Sequence, residues 1–304
     1  MSNFKTILFY KYTRLDNAEQ YAQQHLKFCK DLGVKGRILV GDEGINGTLS
    51  GTPEQCETYM AHLQASPPFK GIEFKVDDTD TPAFNKIHVR YRREIVHFGV
   101  DIDPEFAATR LNADQVLQMK DEPDVVMVDM RNNVEHLVGK FKNAITLDLE
   151  TFRDLPKHLP ELAQYKEKRI IAYCTGGIMC EKATAYLIQQ GFSRDKVFHI
   201  DGGIIKYAHA TGGVDFEGKC YVFDKRVVAD VNLVNPSIIS HCRLCDATSA
   251  RMVNCANPEC NEHFVMCEAC GEQWQGACSE ACYQHPRRRP YDGTGYYARN
   301  GVQL

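Results

Sequence analysis

The sequence predicts an α/β protein in three parts: a ferredoxin-like α+β domain over residues 1–100, a parallel α/β domain over 101–231, and a small cysteine-rich segment over 232–304. Three observations carry that reading. Residues 1 to about 100 alternate strand-like and helix-like stretches in a βαββαβ order, which fits a ferredoxin-like domain. The next stretch holds short continuous apolar runs, the mark of parallel strands buried on both faces. Eight of the thirteen cysteines fall between Cys242 and Cys282. At 304 residues the chain is long enough for several separate cores.

In the first domain Thr6–Tyr12 is an apolar-aromatic strand, and Ala18–Leu32 is an amphipathic helix ended by Gly33. Arg37–Val40 is a second strand. The run Gly41-Asp42-Glu43-Gly44-Ile45-Asn46-Gly47 is read as a turn leading to a third strand at Thr48–Ser50. Thr52 suits an N-cap, and Pro53 a first helical position, for a helix reaching about Ala65. Ile72–Val76 and Lys86–Tyr91 are the last two strands, and Asp101-Ile102-Asp103-Pro104 reads as a linker.

In the second domain Val125–Val128 ends at Asp129, Ile170–Tyr173 ends at Cys174, and Val197–Ile200 ends at Asp201-Gly202-Gly203. A helix over Glu181–Gln190 is stopped by Gly191. Sites in open parallel sheets gather at the carboxyl ends of the strands, so Asp129, Cys174 and Asp201 are expected at one edge.

The most informative stretch is Cys174-Thr175-Gly176-Gly177-Ile178-Met179-Cys180. It reads as strand, tight loop, helix. Gly176 and Gly177 allow backbone conformations that turn successive N–H groups inward, and the helix that follows adds its positive end. A thiolate at Cys174 inside such a ring is expected to have a depressed pKa and to act as a nucleophile. A cysteine phosphatase would need an arginine six positions after the nucleophile to clamp phosphate, and that position is Cys180. Cys180 is read either as a resolving thiol or as helix-start packing.

This loop resembles the active-site loop of the rhodanese family. Together with Val128-Asp129-Met130-Arg131-Asn132, Cys180-Glu181-Lys182-Ala183, Gly202-Gly203-Ile204-Ile205-Lys206-Tyr207, Gly41–Thr48 and His88-Val89-Arg90, it is similar to the bacterial tRNA uridine hydroxylases that carry a rhodanese domain. The resemblance covers nearly the whole chain. It implies a rhodanese-like central domain, an acylphosphatase-like first domain, and conversion of the wobble uridine (position 34) of tRNA to 5-hydroxyuridine with molecular oxygen as co-substrate. Cys174 is then the catalytic residue, Thr175 to Cys180 its loop, and Asp129 and Arg131 its support. The chain departs from that family at Met179, where an arginine is usual. Attack of the Cys174 thiolate or persulfide on uracil C6 would place enolate character at C5, where oxygen adds. No Walker loop, dinucleotide fingerprint or flavin motif is present.

The tail holds Cys242-x2-Cys245, Cys255-x4-Cys260, Cys267-x2-Cys270 and Cys278-x3-Cys282. Eight thiolates match two structural Zn2+ sites with four ligands each, paired as a cross-brace or as neighbours. His241, His263 and His285 lie nearby as substitutes. An iron–sulfur cluster would use four of the eight, and disulfides do not suit a cytoplasmic chain.

The net charge of −4 neither predicts nor excludes nucleic acid. Arg90-Tyr91-Arg92-Arg93 and Arg287-Arg288-Arg289 are the densest basic clusters. Strand alternation puts Arg90 and Arg92 on one face as the better phosphate contacts for the tRNA anticodon region. Tyr91 and Trp274 are candidate stacking surfaces. The N-terminus lacks the charged and apolar pattern of a signal peptide, and no apolar run reaches the ~20 residues of a membrane span, so a cytoplasmic protein without membrane contact is expected. Two other functions compete with the hydroxylase: a sulfurtransferase carrying a Cys174 persulfide, and a non-catalytic zinc adaptor.

Overall fold

The computed structural model describes residues 3–295. The first domain contains β1 (Phe4–Tyr12), α1 (Ala18–Leu32), β2 (Lys35–Gly41), β3 (Gly44–Gly51), α2 (Pro53–Ala65), β4 (Glu73–Thr79) and β5 (Ile87–Tyr91). Their sheet runs β4-β1-β3-β2-β5, antiparallel except for the β2–β5 pair. The first four strands are the ferredoxin-like core, and β5 is an added edge strand. Helix α2 starts as expected, with Thr52 and Gln55 in a reciprocal capping box. Ile7, Phe9, Ile38, Val40 and Leu49 bury the helix-facing side of the sheet together with Cys29 and Tyr59.

One expectation here is corrected. The glycine-rich run is not a long turn, because β3 begins at Gly44 and only Asp42 and Glu43 bridge the strands. These glycines serve close approach: a Cβ on Gly44 would stand 2.0 Å from the Lys11 carbonyl oxygen, and one on Gly47 2.7 Å from the Phe9 ring.

The second domain contains β6 (Thr109–Leu111), α3 (Ala113–Met119), β7 (Val125–Asp129), α4 (Asn133–His136), β8 (Gly139–Phe141), β9 (Ile145–Thr146), α5 (Leu159–Ala163), β10 (Arg169–Tyr173), α6 (Ile178–Gln189), β11 (Val197–Ile200) and α7 (Gly203–Thr211). Its parallel sheet has the order β6-β11-β10-β7-β9. Alternation along β10 sends Ile170, Ala172 and then Cys174 into one apolar layer, with Ile171 and Tyr173 in the other. Helix α6 begins at Ile178, three residues earlier than the sequence pattern suggests, because left-handed Gly177 (φ 94°) caps it inside the loop. The expected linker is not loose chain: Phe98, with Val96, Val100 and Ile102, packs into the second domain's core.

The rest is small pieces. β12 (Phe216–Gly218) pairs with β8, and β13 (Cys220–Tyr221) pairs with β14 (Val228–Ala229). The tail adds a hairpin of β15 (Met252–Asn254) and β16 (His263–Val265), then α8 (Glu268–Trp274) and α9 (Glu280–Tyr283). Residues 296–304, the end of the expected third part, lie outside the described residues. No helix among the described residues is long and apolar enough to cross a membrane.

Candidate functional site

Cys174 stands where β10 ends, and its loop is held from below by the start of α7. The amides of Ile204 and Ile205 donate to the carbonyls of Cys174 (3.0 Å) and Thr175 (3.2 Å). Only glycine permits this approach at position 203. There φ is +66°, and a Cβ would lie 2.3 Å from the Cys174 carbonyl oxygen and 2.7 Å from the Gly177 nitrogen. Gly203 therefore lets the loop after β11 seat against the loop after β10.

The sulfur is buried, with Cys174 only 1% exposed. Burial pushes its pKa up, but the opposing contacts win. The Cys180 thiol and the amides of Cys180, Met179 and Gly177 all aim at the sulfur and bring it down to about 7. The Gly177 amide donates to Sγ at 3.2 Å. Cys180 is itself fully buried and its thiol is pushed well up, first by burial and then by its neighbour, so it stays protonated as a donor. Met179 contributes its amide, while its half-buried side chain packs on the apolar layer.

The first domain covers this loop. A Cβ on Gly176 would meet the Leu8 side chain at 2.9 Å, and the Tyr12 hydroxyl donates to the Ile178 carbonyl at 3.3 Å. The Tyr10 hydroxyl donates to Glu181 Oε1 at 2.9 Å, where the Arg110 guanidinium also lands at 2.7 Å. Burial pushes Glu181 up, with Arg110 and Tyr10 opposing. The next residue, buried Lys182, pairs with Glu43 (2.9 Å) and Glu94 (2.8 Å). Lys75 Nζ donates to the Gly176 carbonyl at 3.0 Å and lies 4.7 Å from the Tyr10 ring centre. Beside these contacts opens a cleft of about 340 Å³ lined by Tyr10, Tyr12, Lys75, Arg110, Glu181 and Asp201. Sequence reasoning missed Tyr10, Lys75 and Glu181. The available signal was that β1 carries Leu8, Tyr10 and Tyr12 on the face opposite its core residues.

Asp129 and Arg131 are fully buried and paired with each other, Nε to Oδ1 at 2.9 Å and Nη2 to Oδ2 at 2.6 Å. Arg131 also donates to the Gly139 carbonyl at 2.7 Å. Among the described residues neither hydrogen-bonds to Cys174. Asp129 stands beside Tyr173 in register, so the pair braces the strand end beneath the loop. Glu135 approaches the Thr175 hydroxyl at 3.4 Å and is pushed up to about 7 by burial, against the pull of Arg131.

All eight tail thiols converge in two groups, Cys242 with Cys245, Cys267 and Cys270, and Cys255 with Cys260, Cys278 and Cys282. The first pair joins the third and the second joins the fourth, which is the cross-brace. Sulfur pairs stand 3.6 Å (Cys245–Cys267) and 3.7 Å (Cys260–Cys278, Cys278–Cys282) apart. A tetrahedral site with metal–sulfur bonds of about 2.3 Å has edges of about 3.8 Å, so these groups fit a metal ion. None of the thirteen cysteines is disulfide-bonded.

The basic clusters separate. Arg287 pairs with Glu259, Arg288 lies 4.4 Å from the Tyr283 ring centre, and Arg289 bonds the Ala256 carbonyl at 3.1 Å and Asn261 at 2.7 Å, so this triplet ties the tail together. Arg90 on β5 and Arg92 just past it are exposed. Trp274 and Tyr91 are half-buried in local packing.

Family models match three stretches: a UPF0176 acylphosphatase-like domain over residues 4–95, a rhodanese-like domain over 112–210 and a rhodanese C-terminal region over 217–283. A protein of Cytophaga hutchinsonii named tRNA uridine(34) hydroxylase is 52% identical over 301 residues, covering 98% of this chain and 96% of its own. Proteins of the same name from Staphylococcus aureus (43%, covering 94% and 92%) and Bacillus licheniformis (44%, covering 76% and 73%) are also similar. Among solved structures, the BLUF protein BlrB in its dark state overlaps 28% of this chain and 67% of its own, at 17% identity and a TM-score of 0.25.

Proposed function

This chain belongs to the tRNA uridine(34) hydroxylase family, and on that premise we propose that Cys174 is the nucleophile with which it hydroxylates C5 of the anticodon uridine. The observation that supports this role is the ring of amides and the Cys180 thiol around a buried sulfur, which holds a thiolate near neutral pH. The thiolate adds to uracil C6, and the electron pair moves to C5 and the C4 carbonyl. Molecular oxygen then adds at C5 as a hydroperoxide. A thiol reductant supplies two electrons, one oxygen atom leaves as water, and loss of the C5 proton expels the thiolate to restore the C5=C6 bond. The net change is oxidation of uridine, so the enzyme is an oxidoreductase. Position 34 is unpaired, so no duplex must melt before its base enters. The cleft next to Tyr10, Lys75 and Glu181, whose side chains touch the loop and its helix, is within the size range of small-molecule sites, and the buried sulfur of Cys174 stands outside its lining.

The tail clusters are read as two structural Zn2+ sites. Zinc takes four thiolates tetrahedrally and leaves no open position, so its contribution is folding energy for a segment with little core of its own. Strand register supports a role for Arg90, which lies on the same sheet face as Tyr10. Across the sheet Tyr10 aligns with Asn46, Asn46 with Leu39, and Leu39 with Arg90. Three strand spacings separate Tyr10 from Arg90, about 14 Å. This supports our reading of Arg90 and Arg92 as contacts to the anticodon-loop backbone, and a tRNA substrate is in keeping with a cytoplasmic enzyme.

The test is nucleoside mass spectrometry of tRNA from a deletion strain complemented with wild type or Cys174→Ser, grown under 18O2. Wild type should restore 5-hydroxyuridine carrying one 18O atom, and Cys174→Ser should restore none. Full 5-hydroxyuridine with Cys174→Ser would remove the nucleophile, and unlabelled product would remove oxygen as co-substrate.

A further inference from the structure

No cationic side chain lies within the loop Cys174–Cys180 itself. The nearby cations have other partners: Arg110 is on Glu181, Arg131 on Asp129, and Lys182 on Glu43 and Glu94. Lys75 differs. It is only 7% exposed, it comes from β4 of the other domain, and its ammonium reaches the loop at the Gly176 carbonyl, 3.0 Å away. The two carboxylates in its neighbourhood, Glu73 and Asp201, are both taken by Lys206, at 2.7 and 2.6 Å. Among the described residues no carboxylate lies within ion-pair reach of Lys75. Its remaining close contact is the face of Tyr10.

A buried ammonium without a carboxylate is costly unless an anion faces it. We propose that Lys75 is a positioning residue of the active site, pinning the cysteine loop through Gly176 and supplying from the first domain the positive charge that faces the Cys174 thiolate. The inference rests on Cys174 being the nucleophile. Burial pulls Lys75 down to about 8, against Glu73, the Cys174 thiolate and Asp201, which favour the charged form, with Lys206 also opposing it. Cys180, Tyr10, Tyr12 and Glu135 are the other titratable groups that feel the Cys174 charge, and each is pushed up first by burial. Charged Lys75 and ionised Cys174 thus coexist near neutral pH. The active site is therefore composite, and the second domain alone would present the loop without its cation.

The experiment is difference absorbance of the thiolate near 240 nm, each protein against its own Cys174→Ser version, across pH on the full zinc-loaded chain. Lys75→Met should raise the Cys174 midpoint by about one unit, so that the ionised fraction at pH 7 falls about fivefold. Lys75→Arg should keep the midpoint near that of wild type. A Lys75→Met midpoint equal to wild type overturns the proposal, whatever happens to turnover. Should Lys75→Met fail to fold, the reciprocal measurement decides: the 13Cε titration of Lys75 should move to lower pH in Cys174→Ser, and an unmoved titration overturns the proposal. This readout needs no tRNA, so it stands or falls separately from uridine hydroxylation.

Discussion

Replacing Gly203 by alanine tests the loop without touching the sulfur or any group that bonds to it through a side chain. At φ +66° an L-residue costs about 1–2 kcal/mol in any protein. Here the new methyl would also stand 2.3 Å from the Cys174 carbonyl oxygen, 2.7 Å from the Gly177 nitrogen and 2.8 Å from the Thr175 carbonyl oxygen. All three are backbone atoms of the cradle, so the loop must shift by most of an ångström, and hydrogen bonds weaken steeply over such a change. Loss of one amide's aim is worth about one pKa unit, or about 1.4 kcal/mol. From a midpoint of about 7, the thiolate fraction at pH 7 would fall from about half to about one-tenth. Gly212→Ala is the control. It carries the same kind of strain (φ +71°) at the other end of α7, where the nearest atom is the Val234 Cγ2 at 3.0 Å. Thiolate difference absorbance on both variants, with melting curves to show that each is folded, is the assay. A folded Gly203→Ala protein with the wild-type midpoint would refute the claim that loop backbone sets the charge on Cys174.

Three further outcomes are expected. Plasma emission should find two zinc atoms per chain, and Cys270→Ser should release one and lower the melting temperature; two zinc atoms in that variant would remove Cys270 from the ligand set. Buried His25 and His199 are each pushed down to about 4, by burial first, so the native state resists their protonation while the unfolded chain takes protons from about pH 6.5. Their contribution is complete above pH 6.5 and is lost as pH falls toward 4, at about 3 kcal/mol each. Urea denaturation should show that loss, and His25→Phe should flatten it; an unchanged pH dependence would contradict the burial argument. Arg90→Ala with Arg92→Ala should weaken binding of an anticodon stem-loop and reduce its salt slope by about 1.4, the value for two single-strand phosphate contacts, whereas an unchanged slope would remove both from the interface.

Much of this was legible because it is local. Helices α1 and α2 have the expected bounds since their caps are encoded within one turn, at Gly33 and at Thr52 with Gln55. The loop could be read because Gly176 and Gly177 announce inward-facing amides, and all eight tail cysteines could be assigned because metal spacing is short-range. The pairing of the tail required coordinates, since cross-brace and neighbour arrangements share one spacing. Gly44 and Gly47 misled because a glycine needed for close packing looks in sequence like a glycine needed for a turn. Lys75 and Tyr10 were invisible for a different reason: 101 and 171 residues separate each from its partner in the loop or helix, and no local pattern reports such a contact.

The strand β1 shows how the first domain is built onto the cysteine loop. Its residues alternate between two obligations. Ile7 and Phe9 close the domain's own core, while Leu8, Tyr10 and Tyr12 press on the loop and the start of α6. Lys75 is the register partner of Leu8 on β4, so it shares that second face. A ferredoxin-like sheet has helices on one side only, and its open side must be solvated or covered. Here it is covered next to β1 and β4 by the cysteine loop, and toward β5 it carries exposed Arg37 and Arg90. On the proposed reading one flat surface then does both jobs, with Lys75 facing the cysteine loop at one side and a basic row extending from it at the other. Neither domain has that arrangement alone, and buried Lys182, paired with Glu43 and Glu94, fixes the first domain to the first turns of α6, the helix that follows the cysteine loop.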